Sequence, residues 1–201
     1  MAFVATLDGP GVTGNSDQAV GIGSTVGGMS FVREGEQAVG CPTGVEYNSF
    51  RNVAINRDGT VVFQSQLRGT GVNASNDQGI WASTAGELRL IVREGDVLEF
   101  GEGQSLPIQL STSAFAGGSS EDGLSCGLDD SGRVAFGAGS SSGVSGVFIA
   151  LPGSTAACPG DFNGDRVVNF ADLNVVLSGF GVGFFFSDLN AVLSNFGVTC
   201  P

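Results

Sequence analysis

The sequence contains neither histidine nor lysine, and these two absences remove most familiar side-chain chemistry. Without histidine there is no Ser-His-Asp triad, no base poised near neutral pH and no His-ligated zinc or haem. Without lysine there is no Schiff base and no P-loop. Positive charge is scarce altogether, with eight arginines against twenty acidic residues and a net charge of −12. Those arginines are scattered and form no basic stripe. Nucleic acid is therefore excluded as a partner, because binding it depends on Lys and Arg neutralising phosphates. No apolar run approaches the roughly 18 residues of a membrane span, so no transmembrane segment is expected. The N-terminus has neither the basic start nor the apolar stretch of a signal peptide. One tryptophan, Trp81, and one tyrosine, Tyr47, make no aromatic platform for sugars, although Trp81 alone offers a stacking face.

Carboxylates, hydroxyls, four cysteines and an abundance of glycine remain. The apolar residues come in short runs of Val, Ile, Leu and Phe between Gly, Ser, Asn and Asp, which reads as many short strands joined by tight turns. An internal repeat organises them. Phe3, Leu7, Gly9, Gly11 and Val12 match Phe63, Leu67, Gly69, Gly71 and Val72 at an offset of 60. The same offset carries Asp17-Gln18 onto Asp77-Gln78 and Val32-Arg33-Glu34-Gly35 onto Val92-Arg93-Glu94-Gly95. A shorter third copy begins at Asp129 and runs through Phe136 to Gly146-Val147-Phe148-Ile149-Ala150.

The second copy predicts strands over 52–56, 60–67, 79–82 and 88–92, with Asn56-Arg57-Asp58-Gly59 as a hairpin turn. Four short strands in about 60 residues predict a mainly β fold of propeller-like meanders that need neighbours to bury their apolar faces. The first copy begins inside its second strand, so the chain reads as truncated at its N-terminus, which also accounts for the lack of a signal peptide.

The pattern Asn56-x-x-Gly59-x-x-x-Phe63, followed by Leu67-x-Gly69-x-Gly71-Val72 and Val92-Arg93-Glu94-Gly95-Asp96, resembles secreted bacterial tandem-repeat proteins named for an N-x-x-G-x-x-x-A-F motif. The resemblance covers about residues 1–150, with Asp129 replacing Asn in the third copy. It implies a secreted β-rich array of no known activity, joined to a C-terminal anchoring module.

Paired carboxylates can run glycoside hydrolysis, and Arg33-Glu34-Gly35-Glu36 and Arg93-Glu94-Gly95-Asp96 invite that reading. The plainer reading is a strand-ending turn repeated once per unit, its Arg and acid forming a solvated pair. Asp129-Asp130 reads as turn chemistry, and Asn73-Ala74-Ser75 is a short glycosylation pattern of little weight. No catalytic residue is assigned, and the chain reads as non-enzymatic. The alternative is a carbohydrate-active enzyme or a carbohydrate-binding propeller, with a polysaccharide as its ligand.

The sharpest signal is C-terminal. Residues 152–157 form a linker between a β-repeat domain over 1–151 and a small module over 158–201. Within the module Asp161, Asn163, Asp165, Asn169 and Asp172 place oxygen-bearing side chains at positions 1, 3, 5, 9 and 12 of a loop, and Val167 offers its carbonyl at position 7. Calcium takes about six to eight hard oxygen ligands, and this spacing curls them around one centre. Arg166 stands where glycine normally supplies a positive φ, at about 1 kcal/mol if its backbone is left-handed. Asp172 then opens a helix with Leu173, Val176, Leu177 and Phe180 on one face.

The segment from Phe170 to Gly181 recurs from Phe186 to Gly197 at an offset of 16. Duplicated loop-helix halves between Cys158-Pro159-Gly160 and Thr199-Cys200-Pro201 resemble the Gly/Cys-flanked dockerin-like anchors of secreted bacterial proteins. The resemblance implies an F-hand fold, bound Ca²⁺, and docking to a cohesin-like or cell-surface protein. The second half departs from it. Gly179 and Gly181 fall where ligands belong, so one calcium site is expected, and Phe184-Phe185-Phe186 is read as completing the small core, with an apolar patch for a partner as the alternative.

Cys158 and Cys200 bracket the module, where a bridge is worth about 3–4 kcal/mol if unstrained. Cys41 and Cys126 are left to pair within the repeat domain. Four cysteines allow three pairings or four free thiols, and the sequence does not choose. Disulfides and calcium both suit an extracellular or cell-surface location.

Overall fold

The computed structural model describes residues 1–24, 27–84, 87–101, 103–117, 126–152, 160–163, 165, 167–180, 184 and 186–199. The chain divides into two compact units, Met1–Pro152 and Gly153–Pro201. The first is built from three antiparallel sheets and the second from two short helices, so the protein is mainly β.

The first sheet runs β1 (Ala2–Thr6), β2 (Gln18–Ser24) and β3 (Gly27–Arg33) in chain order. The second runs β4 (Val45–Ile55), β5 (Val61–Gly69), β6 (Gln78–Thr84) and β7 (Glu87–Arg93). The third contains β8 (Val97–Glu99), β9 (Ser105–Gln109), β10 (Val134–Ser140) and β11 (Ser145–Ala150), in the order β11-β10-β9-β8. The hairpin β8–β9 is not apparent in the repeat pattern, because its strands are short and only Leu98, Leu106 and Ile108 mark an apolar face.

The Asn56–Gly59 turn closes with the Asn56 N–H donating to the Thr60 carbonyl at 3.1 Å, and Gly59 takes the positive φ of 84° that the turn requires. β4 begins at Val45, well before the expected 52. Its register slips between Tyr47 and Ser49 and again between Arg51 and Ala54. Each slip breaks the period of two that marks a strand in sequence.

Positions sixty apart share local geometry. β2 and β3 match β6 and β7 residue for residue in their bounds. Both pairs bulge at one place, Val20/Gly21 in one and Ile80/Trp81 in the other. Arg33 Nε donates to the Ser16 carbonyl and Arg93 Nε to that of Asn76, each at 2.9 Å.

Alternation along these strands sends successive side chains into two cores. Val61, Phe63 and Trp81 join Val20, Val32, Tyr47 and Phe50 between the first and second sheets. Val62, Ile80 and Ala82 point the other way and join Ile108, Phe115, Val134 and Phe136 between the second and third. Trp81 and Tyr47 are fully buried, and the indole N–H donates to the Val39 carbonyl at 2.8 Å. The sugar-stacking role open to Trp81 is thereby corrected: its ring belongs to the core. A Cβ at Gly79 would lie 2.5 Å from that ring, so the strand carries glycine beside it.

In the second unit α1 (Phe170–Ser178) and α2 (Phe186–Ser194) enclose Val168, Val176 and Val192, with Phe162, Leu173, Phe184 and Leu189 around them. Val176 and Val192 occupy matching places sixteen residues apart. The expected apolar stripe of the first helix is narrower than its sequence suggests. Leu177 is 54% exposed, as is its counterpart Leu193 at 56%. Nine-residue helices have little partner surface, and only the centre of each face is covered. The phenylalanine run is also divided. Phe184 packs edge-on against Phe162, whereas Phe186 is 74% exposed and meets Phe180; Phe185 lies outside the described residues.

Candidate metal centre

Helix α1 is preceded by a loop whose polar side chains turn inward on one another. Asn169 is the N-cap. Its Oδ1 accepts from the Ala171 N–H at 2.7 Å, while the Asp172 carboxylate reaches back to the Asn169 N–H at 2.9 Å, which completes a capping box. The other Asp172 oxygen accepts from the N–H groups of Phe162 and Asn163, at 2.7 and 3.0 Å. Asp172 is wholly buried, and this single carboxylate holds both ends of the loop. The asparagine-x-x-aspartate spacing of a capping box is a signal for this second role that reading the loop as a ligand set passes over.

Asp165 is exposed, and its two oxygens accept from the Val167 N–H at 2.9 Å and from Asn163 Nδ2 at 3.0 Å. The Val167 N–H first, and then the Asn163 amide, hold its carboxyl below the usual carboxylate range. Asn163 Oδ1 in turn accepts from the Asp165 N–H at 2.9 Å, and Asn169 Nδ2 donates to the Val167 carbonyl at 2.9 Å. On the far side, the Val168 N–H donates to the Val198 carbonyl and the Gly197 N–H to that of Val168.

Carboxylate oxygens of Asp161, Asp165 and Asp172 lie within 4.8 Å of one another. The structure thus brings the three charged members of the expected ligand set together. The two asparagines are tied into the loop as well, each Oδ1 accepting one backbone N–H and keeping a second lone pair. Both amide nitrogens donate to oxygens of the expected set. Arg166, Cys158 and Cys200 lie outside the described residues.

Three carboxylates this close repel one another. An all-oxygen set with two buried acids suits a hard divalent cation rather than a soft metal. Asp161, Asp165 and Asp172, with Asn163, Asn169 and the Val167 carbonyl of the expected set, are the groups that would hold it.

Outside this loop the repeated acidic turns are built differently from a solvated Arg–acid pair. Glu34 and Glu94 are buried. Arg68 reaches Glu34 at 3.4 Å and Glu46 at 3.3 Å, whereas Glu94 accepts from the N–H groups of Leu110 and Asp77. Asp129 forms an ion pair with Arg133 at 2.6 Å. Cys41 is a free thiol that burial pushes above its ordinary pKa. It packs on the core between the first and second sheets, and Cys126 on the core beyond the second sheet. The Cys41–Cys126 bridge is corrected accordingly.

Comparison with curated proteins and with solved structures returns no match. A family described only as one of unknown function, DUF7453, matches residues 1–158, and the chain belongs to that family.

Proposed function

We propose that the chain is a non-catalytic protein, secreted or attached at the cell surface, in which a dockerin-like calcium-binding module anchors a β-repeat display domain. The β sheets act as blades of a propeller-like stack, and the module docks a cohesin-like or cell-surface protein. One observation carries the calcium reading: the convergence of Asp161, Asp165 and Asp172 at the N-terminus of α1. A divalent cation neutralises three mutually repelling carboxylates and ties the loop to the helix through Asp172. A Cys158–Cys200 bridge would close the same module at its ends in an oxidising exterior.

The test is calorimetric calcium titration of the full chain under oxidising conditions, beside its Asp161→Ala variant. One calcium per chain is expected, with binding lost in the variant. Absence of heat, or binding indifferent to the substitution, overturns the reading.

A further inference from the structure

The second unit exposes apolar side chains that repeat as its sequence repeats. Phe170, Leu177 and Phe180 recur sixteen residues on as Phe186, Leu193 and Phe196, and all six are exposed. Phe170 is 71% exposed, close to its counterpart Phe186. Val176 and Val192, by contrast, turn into the small core.

The six join into one patch. Along α1, Phe170 and Leu177 lie two turns apart on one stripe, with Asn174 between them. Along α2, Phe186, Asn190 and Leu193 repeat that stripe. The turn after α1 brings Phe180 back over the helix end, its N–H donating to the Leu177 carbonyl at 3.4 Å, and Phe196 follows Leu193 at the same spacing. Each of these phenylalanines then meets the first residue of the other helix. Phe196 touches Phe170 with ring centroids 5.0 Å apart at 75°, and Phe180 touches Phe186 at 5.1 Å and 83°. Exchanging the two halves of the sequence turns one contact into the other, so the circuit has a two-fold axis of its own.

A fully exposed aromatic side chain presents about 150–250 Å², so six half-exposed to three-quarters-exposed side chains leave on the order of 600 Å² of apolar surface in water. That is at the upper end of what monomers expose. Two such patches closed on one another bury about 1,200 Å², where specific interfaces begin. The patch is also free of charge. Asn174 and Asn190 are neutral, Asp161 and Asp172 are buried, Asp165 belongs to the loop before α1, and Asp188 is half-buried in the first turn of α2. Two copies can therefore close here despite a net charge of −12 on each.

We infer that a second copy of the chain covers this patch with its own, making a two-fold dimer through the helical units. An interface of this kind uses the same surface on both sides and must be self-complementary. A patch with an internal two-fold meets that demand, because each aromatic pair faces an equivalent pair whichever way round the second copy is seated. An asymmetric partner contacts the two halves differently and leaves the repetition unused.

Sedimentation equilibrium of the full chain at physiological salt tests this. The average mass is expected to approach twice that of the chain as concentration rises through the micromolar range, and to stop there. Leu177→Glu combined with Leu193→Glu changes only exposed side chains to a good helix former, and it should give a monomer at the same concentrations. Leu177→Arg combined with Leu193→Arg should do likewise. Mixing the two double variants should restore the dimer, because opposite charges then face one another, and this shows that both have folded. A wild-type chain that stays monomeric would give the patch to another occupant and overturn the proposal. Growth beyond a dimer, a dimer that survives either double substitution, or a mixture that stays monomeric would each overturn it as well.

Discussion

Phe63 and Trp81 face one another across β5 and β6 with their rings stacked, 5.8 Å between centroids and 12° apart. Tyr47 meets the same indole edge-on at 5.1 Å. These rings fill the centre of the core between the first two sheets, where each large side chain removes much apolar surface from water. Trp81→Ala is expected to destabilise the β domain by about 3–5 kcal/mol, measured by denaturant unfolding. As the only tryptophan, Trp81 should fluoresce at short wavelength in the folded chain and resist iodide quenching. Red-shifted, readily quenched emission from folded protein would contradict its burial.

Gly79 lies against that ring, and a methyl group there would sit 2.5 Å from Trp81 Cη2. Because the indole is enclosed on its other sides, Gly79→Ala should cost about 1–3 kcal/mol through overpacking. Gly14 has open space around its Cβ position and no positive φ. Gly14→Ala is the matched control, with a midpoint near that of the wild type. Equal effects from the two substitutions would count against the packing account.

Glu94 carries the clearest pH dependence. Burial raises its carboxyl above the ordinary 4.5, the N–H groups of Leu110 and Asp77 oppose this, and the neighbouring Asp77 carboxylate adds to the rise. A folded-state pKa above the unfolded one favours the protonated native state. Its contribution is therefore fully present below about pH 4.5 and is lost as pH rises through the raised value. Asp129 acts oppositely. Burial pushes its carboxyl up, but the Arg133 N–H and guanidinium outweigh this and hold it below 3.8; its contribution is lost only in stronger acid. Unfolding free energy should thus rise on mild acidification from neutrality. Glu94→Gln should flatten that rise, and an unchanged slope would refute the assignment.

The β character of the chain was legible because glycine and asparagine punctuate short apolar runs, as at Asn56 and Gly59. What stayed hidden depends on neighbours distant in sequence. β4 lost its alternation to two bulges, and Asn52 within it takes a φ of 51°. It can do so because its side chain donates to Gln64 and to the Thr112 carbonyl, sixty residues away. Equally, nothing in the apolar pattern of Val147 and Ile149 marks them as exposed, whereas the similar Ile80 and Ala82 are fully buried. At the loop, spacing placed the three aspartates together but could not show which oxygens the backbone already occupies.

That occupation separates Asp172 from Asp165. Asp172 accepts three backbone N–H groups from a fully buried position, so it supports α1 whether or not a cation is present. Asp172→Ala leaves those donors without a partner, and the loss of a capping interaction costs about 0.5–2 kcal/mol. Asp165 is exposed, and its carboxylate accepts from the Val167 N–H and the Asn163 amide. In chelator, Asp172→Ala should lower the melting temperature of the helical module, followed by far-UV circular dichroism, whereas Asp165→Asn should leave it nearly unchanged. With calcium added, both variants should lose the stabilisation that the wild type gains. If Asp172→Ala melts like the wild type in chelator, the carboxylate serves the ion alone and the capping role is wrong. If Asp165→Asn keeps the full calcium response, Asp165 is not a ligand.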